Sequence, residues 1–155
     1  LTGFVWTVLL IAPPAFAAFG LLAAPLLGGT PIPTAQPAKE IGRFFGDTFE
    51  RRVGKRLGVV SGDLRLASLI SLYAPGRPTV YFANAPDRTP WVNAEEVRQK
   101  GVIVVWPATD TIGTPPPDVR ALFPDLVPEV PQAFSYSIQG RLPLLRIGWG
   151  MIRPQ

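Results

Sequence analysis

The N-terminal stretch of residues 1–29 is almost entirely apolar, and no charged side chain precedes Lys39. A hydrocarbon core is crossed by about 20 apolar residues, so this stretch is long enough to span a membrane. Pro13, Pro14 and Pro25 would break a helix in water, whereas neighbouring helices in a membrane bundle can satisfy the backbone groups that proline frees. We therefore interpret residues 1–29 as the end of a transmembrane helix.

Two other interpretations of this stretch stay open, a signal peptide and a buried core segment. Ala15-Phe16-Ala17 resembles a signal-peptidase site, but no basic region precedes the apolar run. Three prolines disfavour a buried core helix. The chain does not begin with Met, and its single Met is Met151. We expect the sequence to be a piece of a longer protein.

The missing residue types exclude several kinds of chemistry. The chain has no Cys and no His, which excludes disulfides, thiolate sites, Ser-His-Asp catalysis and the zinc-protease motif. Asp110, Asp118 and Asp125 are too far apart in sequence to predict a metal site, and no cofactor motif is present. No residue is predicted to be catalytic.

The charged residues all follow the apolar stretch. Fifteen Lys and Arg against 11 Asp and Glu give a net charge of +4. This balance suits an anionic lipid surface or a phosphate-bearing ligand. Clustered basic residues with interleaved aromatics are not seen, so nucleic acid is not an expected partner.

A Pro-rich linker, residues 30–37, leads into a segment with helical periodicity over residues 38–56. Its apolar stripe consists of Ile41, Phe44, Phe45, Phe49 and Val53. The stripe is predicted to pack on a sheet, because strand-like sequence follows directly. A helix lying on a membrane surface is the alternative.

The next hundred residues alternate between strand and helix signals. Strands are predicted over 57–62, 79–82 and 102–106, with a helix over 63–74 and a short helix between Asn93 and Gly101. Asp63 has the character of an N-cap, and Asn93 with Glu96 forms a capping box. Residues 107–131 hold seven prolines and are predicted to be loop with one helical turn near 118–123. Two final strands, 134–138 and 142–152, are predicted to form a hairpin through Gly140.

These elements predict an α/β fold for residues 38–155. We expect a small three-layer domain with a mixed sheet, in which a parallel βαβ core is joined by a C-terminal antiparallel hairpin, preceded by the transmembrane-like helix.

The order of segments also resembles a known family. A hydrophobic helix, a linker, an amphipathic helix, a strand ending in Gly62-Asp63 and a helix running into Tyr73-Ala74-Pro75-Gly76-Arg77-Pro78 are similar to the C-terminal region of family 39 glycosyltransferases. Pro90-Trp91-Val92 and the closing stretch from Leu145 to Pro154 resemble that group too. These are polytopic enzymes related to dolichyl-phosphate-mannose mannosyltransferases and to the bacterial aminoarabinose lipid A transferase.

The resemblance implies a function for the parent protein and a location for this piece. Such enzymes transfer a sugar from a polyprenyl-phosphate donor, and their catalytic acid lies in a loop N-terminal to the matching region. Residues 38–155 would be a non-catalytic accessory domain on the extracytoplasmic, periplasmic side of a bacterial inner membrane. Its partners would be membrane lipid, the remaining transmembrane part of the parent protein and a lipid-linked sugar or acceptor.

Two observations keep an alternative open. Lys39, Arg43, Arg51 and Arg52 follow the apolar stretch, and basic residues next to a membrane helix favour the cytoplasmic side. No catalytic residue of the family maps onto this sequence. A membrane-anchored α/β binding module without transferase activity is therefore the second hypothesis.

Four residues are the candidate ligand contacts. Asp63, in Ser61-Gly62-Asp63, stands where helix amides could hold a phosphate or a ribose, with plain N-capping as the alternative. Arg77 and Arg88 could grip a lipid phosphate, or could instead pair with Asp63 or Asp87. Trp91 could stack on a sugar ring or cover a sheet edge.

Overall fold

The computed structural model describes residues 2–23, 36–136 and 143–155. The chain divides into two compact units. The first contains helix α1 (Thr2–Ala23), and the second is an α/β domain comprising Pro37–Phe134 and Leu145–Gln155. The predicted linker and the turn through Gly140 fall outside the described residues, apart from Gln36 and Pro37.

Helix α1 continues through Pro13 and Pro14. Its large apolar side chains are exposed, with Phe16 at 76%. Residues 3–20 form a segment long and apolar enough to cross a membrane, judged by length and composition only. A membrane anchor and a signal sequence fit this observation equally well.

The domain is built on a five-stranded mixed sheet, which confirms the predicted α/β class. Its strands are β1 (Val59–Gly62), β2 (Thr79–Tyr81), β3 (Val102–Pro107), β4 (Val127–Phe134) and β5 (Leu145–Ile152). They lie in the order β2-β1-β3-β5-β4. The first three are parallel, and β5 is antiparallel to both β3 and β4. The parallel core with an antiparallel C-terminal pair is the predicted arrangement.

Two helices cover one face of the sheet. They are α2 (Ala38–Val53) and α3 (Leu64–Tyr73), and their apolar side chains form one cluster with Val60, Ile103 and Val105 of the sheet. Phe45 is fully buried there, which confirms that the α2 stripe packs into the core. Methyl groups at Gly42 or Gly46 would collide with Tyr73 or Pro75, so these glycines allow α2 and α3 to pack closely.

Two shorter helices cover the other face. They are α4 (Ala94–Lys100) and α5 (Pro117–Leu122), whose Val97 and Val119 pack with Val59, Val102 and Val104. Alternate strand residues point to opposite faces, which explains why β1 and β3 are apolar at successive positions. The sheet is therefore the middle of three layers, as predicted.

Local signals explain most helix ends. The side chains of Asp63 and Asn93 accept hydrogen bonds from the backbone N–H of Leu66 and Glu96, at 3.0 and 2.8 Å, so both predicted N-caps are confirmed. Helix α2 ends at Val53 rather than at 56, because Gly54 takes the left-handed conformation (φ 75°) that closes a helix. Strand β1 begins at Val59 rather than at 57.

The predicted loop over residues 107–131 was wrong for residues 127–131, which belong to a strand. Strand β4 begins at Val127 and includes Pro128 and Pro131, and its pairing with β5 shifts register between Glu129 and Gln132. Proline is tolerated here because β4 is at the edge of the sheet, where one side of its backbone has no strand partner among the described residues. The Trp149 indole N–H donates to Val130 O at 3.0 Å and so stabilises the part of β4 where the register shifts. The predicted strand 134–138 has only Phe134 in β4, with 137–142 outside the described residues.

Candidate functional site

A crevice opens at the C-terminal ends of the three parallel strands. β1 and β3 are neighbours, but the chain leaving β1 returns to the sheet as β2, whereas the chain leaving β3 goes to β4 and β5 on the opposite side. Neighbouring strands whose connections depart in opposite directions leave a gap between their loops, and doubly wound sheets bind ligands in that gap. The location alone makes this crevice the candidate ligand site.

The crevice is small and mixed in chemistry. Its volume is about 280 Å³, close to the lower limit of about 300 Å³ for small-molecule sites. Its side chains include the polar Ser61, Asp63, Asn84 and Asp118 and the aromatic Phe82, Trp106 and Phe123. None of the described lining residues is Lys or Arg.

The turn between β1 and α3 forms one wall. Gly62 has a φ of 101°, and a methyl group there would lie 2.0 Å from Val105 O. The next backbone N–H, of Asp63, donates to the same carbonyl at 2.8 Å. Only glycine fits this close approach with a positive φ, so the turn is held firmly against β3.

One oxygen of the Asp63 carboxylate already accepts a hydrogen bond from the protein. Its Oδ1 caps α3 through the Leu66 N–H, and the described part of the chain offers its second oxygen no hydrogen-bond donor. A carboxylate at the start of a helix satisfies the amides that would otherwise attract an anion. The predicted phosphate cradle at Ser61-Gly62-Asp63 is therefore disfavoured, and capping is the role that the geometry supports.

Ser61 and Trp106 form part of the buried interior of the crevice. The Ser61 hydroxyl donates to Tyr81 O at 2.6 Å and is fully buried, so it is not a free nucleophile. Trp106 is 1% exposed and lies over Gly148. Its indole N–H has no acceptor among the described residues. A buried donor without a partner costs about 1–3 kcal/mol.

The structure brings together some of the candidate residues and separates others. Asp63 lines the crevice. The Arg88 guanidinium lies 5.6 Å from the ring centre of Phe82, a lining residue, so Arg88 is next to the crevice. Trp91 is 65% exposed and is not in the lining. Arg77 precedes β2 and lies at the opposite end of the parallel strands.

The alternative role of Arg77 and Arg88, ion pairing with Asp63 or Asp87, was wrong. Within the described ranges, neither Arg77 nor Arg88 forms an ion pair with Asp63 or Asp87. Both guanidinium groups are exposed, and Arg77 has the unusual φ of 47°.

No protein-family model, curated protein or solved structure matches the chain. What the domain binds must therefore be inferred from the crevice residues and their chemistry.

Most of the lining residues were not predicted as ligand contacts, and the polar and aromatic ones among them are Phe82, Asn84, Trp106, Asp118 and Phe123. Asp118 was weighed only as a metal ligand, and in the described part of the chain no three acidic side chains are close enough to hold a metal ion. The available signal was position, since Asn84 follows the end of β2 and Trp106 lies at the end of β3.

The lining defines what the crevice can bind. Carboxylate and amide oxygens accept hydrogen bonds from hydroxyl groups, and aromatic faces pack against C–H surfaces. Two carboxylates, with no cation among the described lining residues, repel a phosphate. The crevice is therefore suited to a small, neutral ligand rich in hydroxyl groups.

Proposed function

We propose that this chain is the non-catalytic C-terminal accessory domain of an integral-membrane glycosyltransferase that uses a polyprenyl-phosphate sugar, and that its crevice binds a neutral sugar unit. The observation that carries the proposal is the crevice at the ends of β1 and β3, which places acidic and amide acceptors beside aromatic rings. The family resemblance supports the transferase context and the extracytoplasmic, periplasmic location at a bacterial inner membrane. Helix α1 is consistent with attachment to a membrane.

The crevice favours a neutral sugar over a phosphate group. Asp63 and Asp118 line it, and Arg88, a neighbouring cation, is stacked on Phe82. A sugar hydroxyl donating to a carboxylate forms a charge-assisted hydrogen bond, worth about 1.5–3 kcal/mol. A phosphate at the same place would meet like charge at short range. Sugar recognition without phosphate recognition is the expected specificity.

The affinity for a single sugar should be modest. A methyl hexoside has about 13 non-hydrogen atoms, and about 0.3 kcal/mol for each gives roughly 4 kcal/mol. This free energy corresponds to a dissociation constant of about 1 mM. Saturation-transfer NMR detects binding in this range, with methyl glycosides of mannose, glucose, galactose and arabinose as probes.

Asp63→Asn is the decisive variant. Asn caps a helix about as well as Asp, so the α3 cap is retained while the charged acceptor is lost. We expect the affinity for the bound glycoside to fall about tenfold, because a charge-assisted hydrogen bond becomes a neutral one. Asp47→Asn, on the exposed side of α2, is the matched control and should change nothing.

Three results would contradict this specificity. One is that none of the four glycosides binds, the second that Asp63→Asn binds as well as the native chain, and the third that a sugar 1-phosphate binds more tightly than its methyl glycoside. The transferase context has its own test, which is the gene upstream of Leu1. About ten further hydrophobic segments there would support it, whereas a start codon just before Leu1 would favour the membrane-anchored binding module.

A further inference from the structure

The end of the sheet opposite the crevice is basic. The strands are parallel from β1 to β3, so the segments before them lie at one edge, together with the segment that follows the antiparallel β5. These segments carry the exposed cations that we call the basic edge: Lys55, Arg56, Arg77 and Arg153.

Contacts between the segments make this edge continuous. A methyl group at Gly76 would lie 3.4 Å from the Cβ and Cδ atoms of Arg56, so Arg77 is next to Arg56. A methyl group at Gly58 would lie 3.1 Å from the Lys100 Cδ, and one at Gly101 would lie 2.8 Å from the Pro154 Cδ. The edge therefore runs without a break from the segment before β2 to the segment after β5.

The four cations are free of carboxylates. Within the described ranges, ion pairs are formed by Arg52, Arg98 and Lys100, and no carboxylate lies within 4 Å of the charged groups of the basic edge. At the other end of the strands, the crevice carries Asp63 and Asp118. Among the described residues, the basic edge therefore carries four unpaired cations, with Asp125, in the segment before β4, as an acidic side chain at the same end of the strands.

We infer that the basic edge docks on an anionic lipid bilayer. The charge is complementary to acidic headgroups, and the domain shares a chain with α1, which is long and apolar enough to enter a membrane. Whenever α1 is inserted, the domain is tethered to the same bilayer, so weak electrostatic contacts suffice to orient it. This inference does not depend on the proposed sugar specificity.

Docking through the basic edge would hold the crevice away from the bilayer surface. β3 has six residues, and at about 3.3 Å per residue the crevice would stand roughly 20 Å above the headgroups. A sugar entering it would come from the aqueous side, on a group that extends away from the bilayer. The absence of Lys and Arg from the described lining agrees with this, because a lipid phosphate would stay at the opposite end of the domain.

The test uses the full chain reconstituted in lipid vesicles. Because the chain has no Cys, one introduced cysteine carries a unique fluorophore. Gln99→Cys places it near the basic edge, at the end of α4, and Thr111→Cys places it after β3, at the crevice end. Energy transfer to a headgroup-labelled lipid then reports which end approaches the bilayer, in phosphatidylcholine alone and with about 30% phosphatidylglycerol.

We expect energy transfer from position 99, but not from 111, to rise with phosphatidylglycerol and to be lost in 1 M salt, where the Debye length is about 3 Å. Each cation at an anionic surface contributes about fivefold to the docking constant. Lys55→Gln, Arg56→Gln and Arg77→Gln together should lower that constant roughly a hundredfold. These side chains are exposed, so the variant should fold, which circular dichroism verifies.

The matched control removes three exposed arginines elsewhere: Arg65→Gln, Arg120→Gln and Arg146→Gln. It changes the net charge equally and should leave docking within about twofold, because docking depends on where the charges lie. Equal loss in both triple variants would overturn the inference, as would equal energy transfer in neutral and anionic vesicles. Binding of a DNA duplex by the edge without approach to anionic vesicles would also overturn it and assign a different partner.

Discussion

Replacing Phe45 by Ala tests whether α2 belongs to the core. The Phe45 side chain is fully buried. Its ring makes edge contacts with Phe44 and Trp149, at 5.1 and 5.7 Å between ring centres, and a tilted contact with Phe134 at 6.3 Å. Burial of a phenylalanine side chain contributes about 1.5–3 kcal/mol. Aromatic pairs add about 0.5–1.5 kcal/mol.

These contributions set the expected loss. The free energy of unfolding should fall by about 3–5 kcal/mol, in line with Phe→Ala changes in other cores. For a slope near 2 kcal/mol per molar urea, the midpoint would move down by about 2 M. Urea unfolding of the full chain in a mild non-ionic detergent, followed by tryptophan fluorescence, measures this shift.

Phe16→Ala is the matched control. It makes the same substitution on α1, where Phe16 is 76% exposed, and should leave the unfolding midpoint of the domain unchanged. If α2 were instead a membrane-surface helix, Phe45→Ala would weaken vesicle binding and hardly change stability. A loss below about 1 kcal/mol, against the 3–5 kcal/mol expected of a buried phenylalanine, together with reduced vesicle binding would refute the core assignment.

Further predictions concern the turn, the acidic loop, the N-terminal segment and activity. Gly62→Ala should destabilise the domain by about 3 kcal/mol or more, because the methyl group meets Val105 O, whereas Gly54→Ala, with open space and a positive φ, should cost only about 1 kcal/mol. Equal unfolding midpoints for the two variants would contradict this. Hydrogen bonds from the side chain of Thr114 and from the Gly113 N–H lower the pKa of Asp110, so this contact stabilises the fold above the ordinary value of 3.8 and is lost as the pH falls through the lowered pKa. An NMR titration of the Asp110 carboxyl that gives an ordinary or raised pKa would show this to be wrong. Deleting residues 1–29 should leave a monodisperse domain that melts cooperatively, and aggregation without a melting transition would contradict it. The purified chain should transfer no sugar from a polyprenyl-phosphate donor, and turnover above a heat-inactivated control would overturn that expectation.

Local signals explain why much of the fold could be predicted. The Asp63 and Asn93 caps depend on residues three positions apart, and the apolar run of β3 needs no distant partner to be recognised. Strand β4 lacked such a signal. Its prolines indicate loop, and only its place at the sheet edge, known once the strands are ordered, makes them compatible with a strand.

The candidate site was less predictable, because its side chains come from separate segments. Phe82 follows β2, Trp106 lies at the end of β3 and Asp118 lies in α5. None of them has a neighbour in sequence that indicates a shared pocket. The order of residues along the chain does, however, separate two of the candidate arginines. Arg77 precedes a parallel strand and Arg88 follows the same strand, so they belong at opposite ends of the sheet.

The prolines of β4 also affect how the domain behaves among its neighbours. An unpaired strand edge can recruit a strand from another molecule, and a membrane concentrates tethered domains in two dimensions, where such encounters are frequent. Pro128 and Pro131 remove two backbone donors from this edge, and the register shift between them interrupts its regular repeat. The opposite edge, β2, is only three residues long. If α1 holds many copies on one bilayer, as proposed, these two edges would keep their sheets from pairing with one another, and each crevice would stay separate.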